Sequence, residues 1–253
     1  PRLGIGSCMG GQPNPDACLQ AGTNLYFSET TDATWLGIID GPGSVSKRGS
    51  GALTLTKAQL YTGNTTVSEG TLFFNTTLET TRVDVAHGAT LGGLGTLSTA
   101  APTHVAGTIA PGNASALGTL TLNGPVTFDK TSSLRVRVDP NHNHDSLKVA
   151  TPQLVTITSG AKLIVDVLPG DYPVAAFAFP ALQATNRPHK FHFTDDYAFL
   201  KVHVTQTPNH PIWVHVGLDP AANVASFSAY SQPALRSWME HGPTTAMRRG
   251  SSP

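Results

Sequence analysis

From about Ser44 to Gly217 the chain alternates apolar and polar residues in short bursts, each closed by Gly, Asn or Pro. Ala52-Leu53-Thr54-Leu55-Thr56 places both leucines on one face. Arg82-Val83-Asp84-Val85 turns its valines one way and its charges the other, and Leu134-Arg135-Val136-Arg137-Val138 repeats the arrangement. Lys162 to Val167, Lys201 to Val204 and Ile212 to Val216 follow suit. A period of two predicts half-buried strands, because successive side chains in a strand point to opposite faces. No helical stretch separates them, which argues against strand–helix–strand units. Helical spacing occurs once, at Leu235, Trp238 and Met239 within 226–241.

Two architectures fit many short strands: an antiparallel sandwich or barrel, and a solenoid of stacked rungs. The phrase Glu69-Gly70-Thr71-Leu72 is echoed by His87-Gly88-Ala89-Thr90-Leu91, and Gly-Thr-Leu returns at Gly95 and Gly118. Recurrence at about 20 residues is the spacing of a solenoid repeat. Residues 1–43 read differently, with fewer strands and a break at Gly41-Pro42-Gly43, and are expected to form an N-terminal cap or the remnant of upstream rungs. Rungs are expected over 44–225, and 226–253 reads as a C-terminal linker whose tail, from Ala246, is disordered.

Composition supports an all-β reading. Nineteen prolines in 253 residues interrupt long helices almost everywhere. Only 13% of residues are charged, against roughly 25% in an average globular domain, so Thr, Ser, Asn and Gly supply the surface polarity. The formal net charge of +0 lacks the basic surplus of a nucleic-acid binder. No apolar run approaches the roughly 20 residues needed to span a bilayer. Pro1-Arg2-Leu3 leads into no signal-peptide core, so a secreted chain is expected to be a mature or trimmed form. Cys8 and Cys18 lie close together in a Gly- and Pro-rich segment. They are expected to close a small disulfide loop, stabilising the fold by about 3 kcal/mol, with two free thiols as the alternative.

Lys47-Arg48-Gly49-Ser50-Gly51-Ala52-Leu53-Thr54-Leu55-Thr56, followed by Tyr61-Thr62-Gly63-Asn64-Thr65-Thr66-Val67-Ser68-Glu69-Gly70-Thr71-Leu72, resembles the passenger-associated repeat of Gram-negative autotransporters. Gly88 to Leu97 matches the next phrase, and Ile109-Ala110-Pro111-Gly112-Asn113 with Gly118-Thr119-Leu120 the one after, so the resemblance covers about 44–170. Ala114-Ser115-Ala116 departs from the pattern and marks a local insertion. The resemblance implies a right-handed parallel β-helix, secreted or held at the cell surface, with a C-terminal outer-membrane barrel in the precursor. Ala225 to Tyr230 resembles the segment leading toward that barrel.

Candidate chemistry is sparse. Gly49-Ser50-Gly51 lacks the spacing of a nucleophile elbow and reads as a turn. His142-Asn143-His144-Asp145 has metal-ligand residue types but follows Asp139-Pro140-Asn141 on an expected exposed loop. His203 and His215 flank inward valines and are expected to point outward as solvated side chains, with a pH-sensitive patch as the sharper alternative. Adjacent Asp195 and Asp196 cannot share a strand face. No catalytic, cofactor or metal residue is assigned. The expected role is binding to a host extracellular or plasma protein, as an adhesin or immune-evasion factor, with Tyr61, Trp213 and Tyr230 as candidate surface aromatics. The alternative is a non-catalytic stalk of an autotransporter protease or esterase. A free-standing polysaccharide lyase or hydrolase would need acids and bases clustered along one groove.

Overall fold

The computed structural model describes residues 17–172, 175–194 and 200–218. Among these there is no helix. The chain visits three faces in a fixed order and returns to the first, so each circuit is one rung of a parallel β-helix. The first face stacks Asn24–Phe27, Ser44–Lys47, Thr65–Val67, Val83–Val85, Thr103–Val105, Val126–Phe128 and Val155–Ile157. Ala33–Trp35, Ala52–Leu55, Thr71–Phe74, Thr90–Gly93, Thr108–Pro111, Ser133–Val138 and Lys162–Val167 make the second. The third begins with Ala17–Cys18, Ile39–Gly41 and Leu60–Tyr61. It continues through Thr77–Thr80, Thr96–Thr99, Thr119–Asn123, Ser146–Val149 and Phe177–Gln183. Parallel pairing therefore begins upstream of residue 44, in strands of two to four residues that leave little alternation in the sequence.

Register converts the sequence alternation into columns. On the second face Ala33, Leu53, Leu72, Leu91, Ile109, Leu134 and Leu163 lie in one line of partners. On the third, Leu78, Leu97, Leu122 and Val149 do the same. These side chains are almost completely buried apart from Ala33, which packs at the core edge. Burying a Leu or Val fully contributes about 1.5–3 kcal/mol. Outward positions are mostly polar: Thr71, Thr90, Thr108 and Lys162 lie in one such line, which starts at Ala52 and takes in the buried Ser133.

Polar residues also enter the core, and Lys47 and Gln59 show how they are matched. Lys47 occupies the inward column between Phe27 and Val67. Its Nζ curls into the turn and donates to the carbonyls of Arg48 at 2.8 Å and Gly49 at 2.6 Å. Burial lowers the Lys47 pKa, while Glu29 and Glu69 pull it back up. The third face is interrupted between Tyr61 and Thr77, and there buried Gln59 fills the break. Its Oε1 accepts from Ile39 N at 2.8 Å, and its Nε2 donates to Lys57 O at 2.7 Å.

Rungs lengthen toward the C-terminal end at one corner, between the second and third faces. Connections there are short at 75–76 and 94–95, then grow to 112–118, 139–145 and 168–176. The expected insertion after Asn113 is the first of these: Asn113 Oδ1 accepts the backbone N–H groups of Ser115 and Ala116, both at 2.9 Å. Asp145, 1% exposed, binds the first two loops together. It accepts from Gly118 N at 2.9 Å and from Arg137 Nε at 2.6 Å, while Arg137 Nη2 reaches Ala116 O at 3.0 Å. Tyr172 in the third loop donates to Val138 O at 2.9 Å.

The solenoid does not stay parallel to its end. Leu200–Gln206 and Ile212–Leu218 form an antiparallel hairpin, and the second of these strands pairs antiparallel with Phe177–Gln183. Parallel stacking expected through residue 217 is thus corrected for 200–218. Alternation of period two is shared by both strand directions, so it carries no sign of the reversal.

Gly93 closes the second-face strand at φ +127°, where a Cβ would collide with the Phe74 carbonyl. Gly93→Ala should lower the unfolding free energy by at least about 2 kcal/mol, and Leu91→Ala by about 2–5 kcal/mol. Urea denaturation of the two variants measures both losses. Cys18 is half-buried on the first short strand of the third face, whereas Cys8 lies outside the described residues. Their pairing remains the expectation. Intact masses with and without reductant should differ by two hydrogens, and two freely titrating native thiols would refute it.

A candidate binding groove beside Trp213

The terminal hairpin is fixed to the last rung from beneath. Arg187 is fully buried and donates to the carbonyls of His189, Thr207 and His210, the contact to Thr207 measuring 2.7 Å. Asn209 answers from the hairpin turn, its Oδ1 accepting from Arg187 N at 3.0 Å. Gln206 adds a paired contact to the Phe191 backbone, with both bonds at 2.9 Å. Burial lowers the Arg187 pKa, the expected response of a cation removed from water. These contacts set the position of Pro211 and Trp213.

Trp213 lies on the outward side of its strand, opposite Pro180, and is 40% exposed. The register between the two strands shifts at Pro180 to Leu182. Such an irregularity bends a strand and re-aims its side chains. A groove of about 340 Å³ opens here, bounded by Trp213, Pro180, Pro211, Gln183, Lys148 and the Thr151–Thr185 pair. Its floor is held by a short network: Ser146 Oγ donates to Pro180 O at 2.6 Å, and Gln183 Nε2 donates to Ser146 Oγ at 3.0 Å.

Residues 45–72 match the model of the passenger-associated-transport-repeat family. Over 120 residues the chain is 32% identical to an extracellular serine protease of Serratia marcescens, covering 47% of this chain and 11% of that protein. Over 115 residues it is 36% identical to the adhesin BmaC autotransporter of Brucella suis biovar 1 (strain 1330), covering 41% of this chain and 3% of that protein. In this stretch the chain resembles an autotransporter passenger. Passengers of this family are secreted or displayed on the surface of Gram-negative bacteria. The aligned parts are small fractions of both relatives, so the likeness concerns the repeat-bearing helix and not those whole proteins.

Of the aromatics expected on the passenger's surface, Trp213 is exposed as anticipated, Tyr61 is not, and Tyr230 lies outside the described residues. Tyr61 is 0% exposed. Its hydroxyl meets Thr65 Oγ1 at 2.7 Å, Thr65 meets Thr80 at 3.3 Å, and Thr80 donates to Gly63 O. Since the last proton goes to a carbonyl, the chain of donors runs from Tyr61 through Thr65 and Thr80 to Gly63. Burial pushes the phenol pKa up, and the Thr65 bond offsets part of that. Tyr61 therefore belongs to the core of the repeat and is withdrawn as a binding anchor.

Other candidate side chains of the passenger have structural partners. Ser50 stands in a turn, its Oγ 3.5 Å from Thr30 O. His142 and His144 stack on Phe177 and Phe179 at 4.1 and 4.7 Å between ring centroids. Asp145 was expected on an exposed loop and is instead buried against Arg137. Burial raises its pKa, which the bonds from Arg137 and Gly118 counteract. Among the described residues, no three His, Cys, Asp or Glu side chains converge on a metal position. His203 and His215 do point outward and are direct cross-strand partners, 5.7 Å apart between rings, a closeness that the hairpin creates. Asp195 and Asp196 lie outside the described residues. Pro180, Gln183 and Lys148 had no sequence signal: parallel pairing sets Lys148 beside Gln183, and an antiparallel pairing with a register irregularity sets Pro180 against Trp213.

Tyr61→Phe should cost about 1 kcal/mol in urea denaturation through the lost hydroxyl bond, with binding by the passenger unchanged. Asp145→Asn should cost more, about 2–3 kcal/mol, below the full penalty for a broken buried pair because Arg137 still reaches water.

Proposed function

We propose that the passenger works by binding, as an adhesin or immune-evasion factor, and that its partner is a host extracellular or plasma protein engaged at the third face around Trp213. Exposed Trp213, held in a preformed groove at the end of a stiff rod, is the observation that carries this reading. Tryptophan is prominent among residues that dominate binding energy. A groove fixed in advance by Arg187, Gln206 and Ser146 loses little conformational entropy when occupied. The adhesin among the relatives accords with the proposal. In the precursor, the passenger is expected to be joined to a C-terminal outer-membrane barrel.

A second reading has its own observation, the likeness to an extracellular serine protease. On that reading the described rungs are a non-catalytic stalk, and chemistry resides in another part of a longer protein. A pull-down from serum and extracellular matrix, run beside a panel of peptide, ester and glycan substrates, separates the two. The binding reading expects a captured host protein, no turnover, and loss of most capture in Trp213→Ala. Turnover abolished by a single substitution, with no partner retained, would defeat it.

A further inference from the structure

The groove beside Trp213 has the chemistry of a sugar site. Its apolar element is one exposed indole flanked by Pro180 and Pro211, an open platform and not an enclosed pocket. Around it stand an amide, Gln183, and two hydroxyls, Thr151 and Thr185, 3.2 Å apart. The Gln183 amide nitrogen is committed to Ser146 Oγ, so its Oε1 is oriented by the protein and remains an acceptor for a ligand hydroxyl. A pyranose ring offers the complement, an apolar C–H face over the indole and hydroxyls around its rim. A proline-rich peptide would need a row of aromatic ridges, and stacked nucleic-acid bases need several aromatics along a basic channel. Here a single indole stands in a chain of zero net charge.

Charge narrows the class of sugar. Lys148 borders the groove, paired in register with Gln183. Beyond Trp213 the same outward face carries His215 and His203, then Lys201 opposite Gly217. No Asp or Glu lies among the described residues that line the groove. We propose that this surface binds an anionic pyranose, a glycan unit bearing a carboxylate or sulfate, with Trp213 stacking on the ring and Lys148 facing its charge. The proposal deepens the binding function and rests on it: the host protein would be recognised through its glycan.

Sialylated glycoproteins and sulfated glycosaminoglycans share this chemistry, and the arms of one experiment distinguish them. The immobilised passenger is exposed in biolayer interferometry to fetuin, asialofetuin, heparin and neutral dextran. Binding of fetuin over asialofetuin identifies a carboxylated sugar, and binding of heparin a sulfated one. Either result must weaken about tenfold in Trp213→Ala, as expected for loss of one aromatic platform, and largely recover in Trp213→Tyr. Lys148→Ala should weaken the anionic probes and make the remaining binding less salt-sensitive. Thermal melts establish that the variants are folded. Equal binding of neutral and anionic probes, binding indifferent to Trp213, or no binding to any probe overturns the proposal. The function beneath it is judged separately: a host protein that is still captured through Trp213 after enzymatic deglycosylation removes the glycan claim and leaves the binding role standing.

Discussion

Parallel pairing between successive rungs is the constraint on which the rest of this molecule depends. A strand's backbone groups bond to the rungs before and after it, so a displaced rung would strand donors and acceptors on two neighbours at once. That bonding fixes register, and register fixes which side chains stack. The Ala33-to-Leu163 column is a consequence of this, as is the outward threonine ladder beside it. Gly93 serves the same constraint, because its corner brings the Phe74 carbonyl too close for any side chain.

Against so regular a background the polar intrusions are informative. Lys47, Gln59, Thr65 and Tyr61 all sit inside the first rungs, and all reach backbone oxygen directly or through one another. They cluster in or beside the repeat that matches the family model. An apolar side chain at Lys47 or Gln59 would fill the space yet leave turn carbonyls without a donor. At the opposite end Arg187 performs a related task, satisfying carbonyls from two segments that no strand pairing could join. Side-chain groups thus serve the two places where the ladder is incomplete, Gln59 at the break in the third face and Arg187 at the junction with the hairpin.

Much of the fold was legible because alternation, turn chemistry and the recurring Gly phrases all report the same thing, a strand with one buried face. What alternation cannot report is direction. Lys201 to Val204 and Ile212 to Val216 look like further rungs, yet their strands reverse. Tyr61 was misread for a related reason. Its strand is two residues long, too short for a period, and the hydroxyl suited a surface. The outward direction of Trp213 was legible, since it sits between Ile212 and Val214 in a strand long enough to alternate. The groove beside it was invisible, because it joins residues from three strands and three turns across an irregular register.

The lengthening corner has an implication for how such a rod tolerates change. Connections of the first face to the second stay within two to five residues, from 106–107 to 28–32, and the leucine column keeps its register across all of them. At 112–118, 139–145 and 168–172, extra chain is stitched to its neighbours by Asp145 and Tyr172. Insertions and deletions should accumulate along that single edge over evolutionary time while the remaining circumference keeps its length. The same edge is where a foreign peptide could be grafted for display outside the cell.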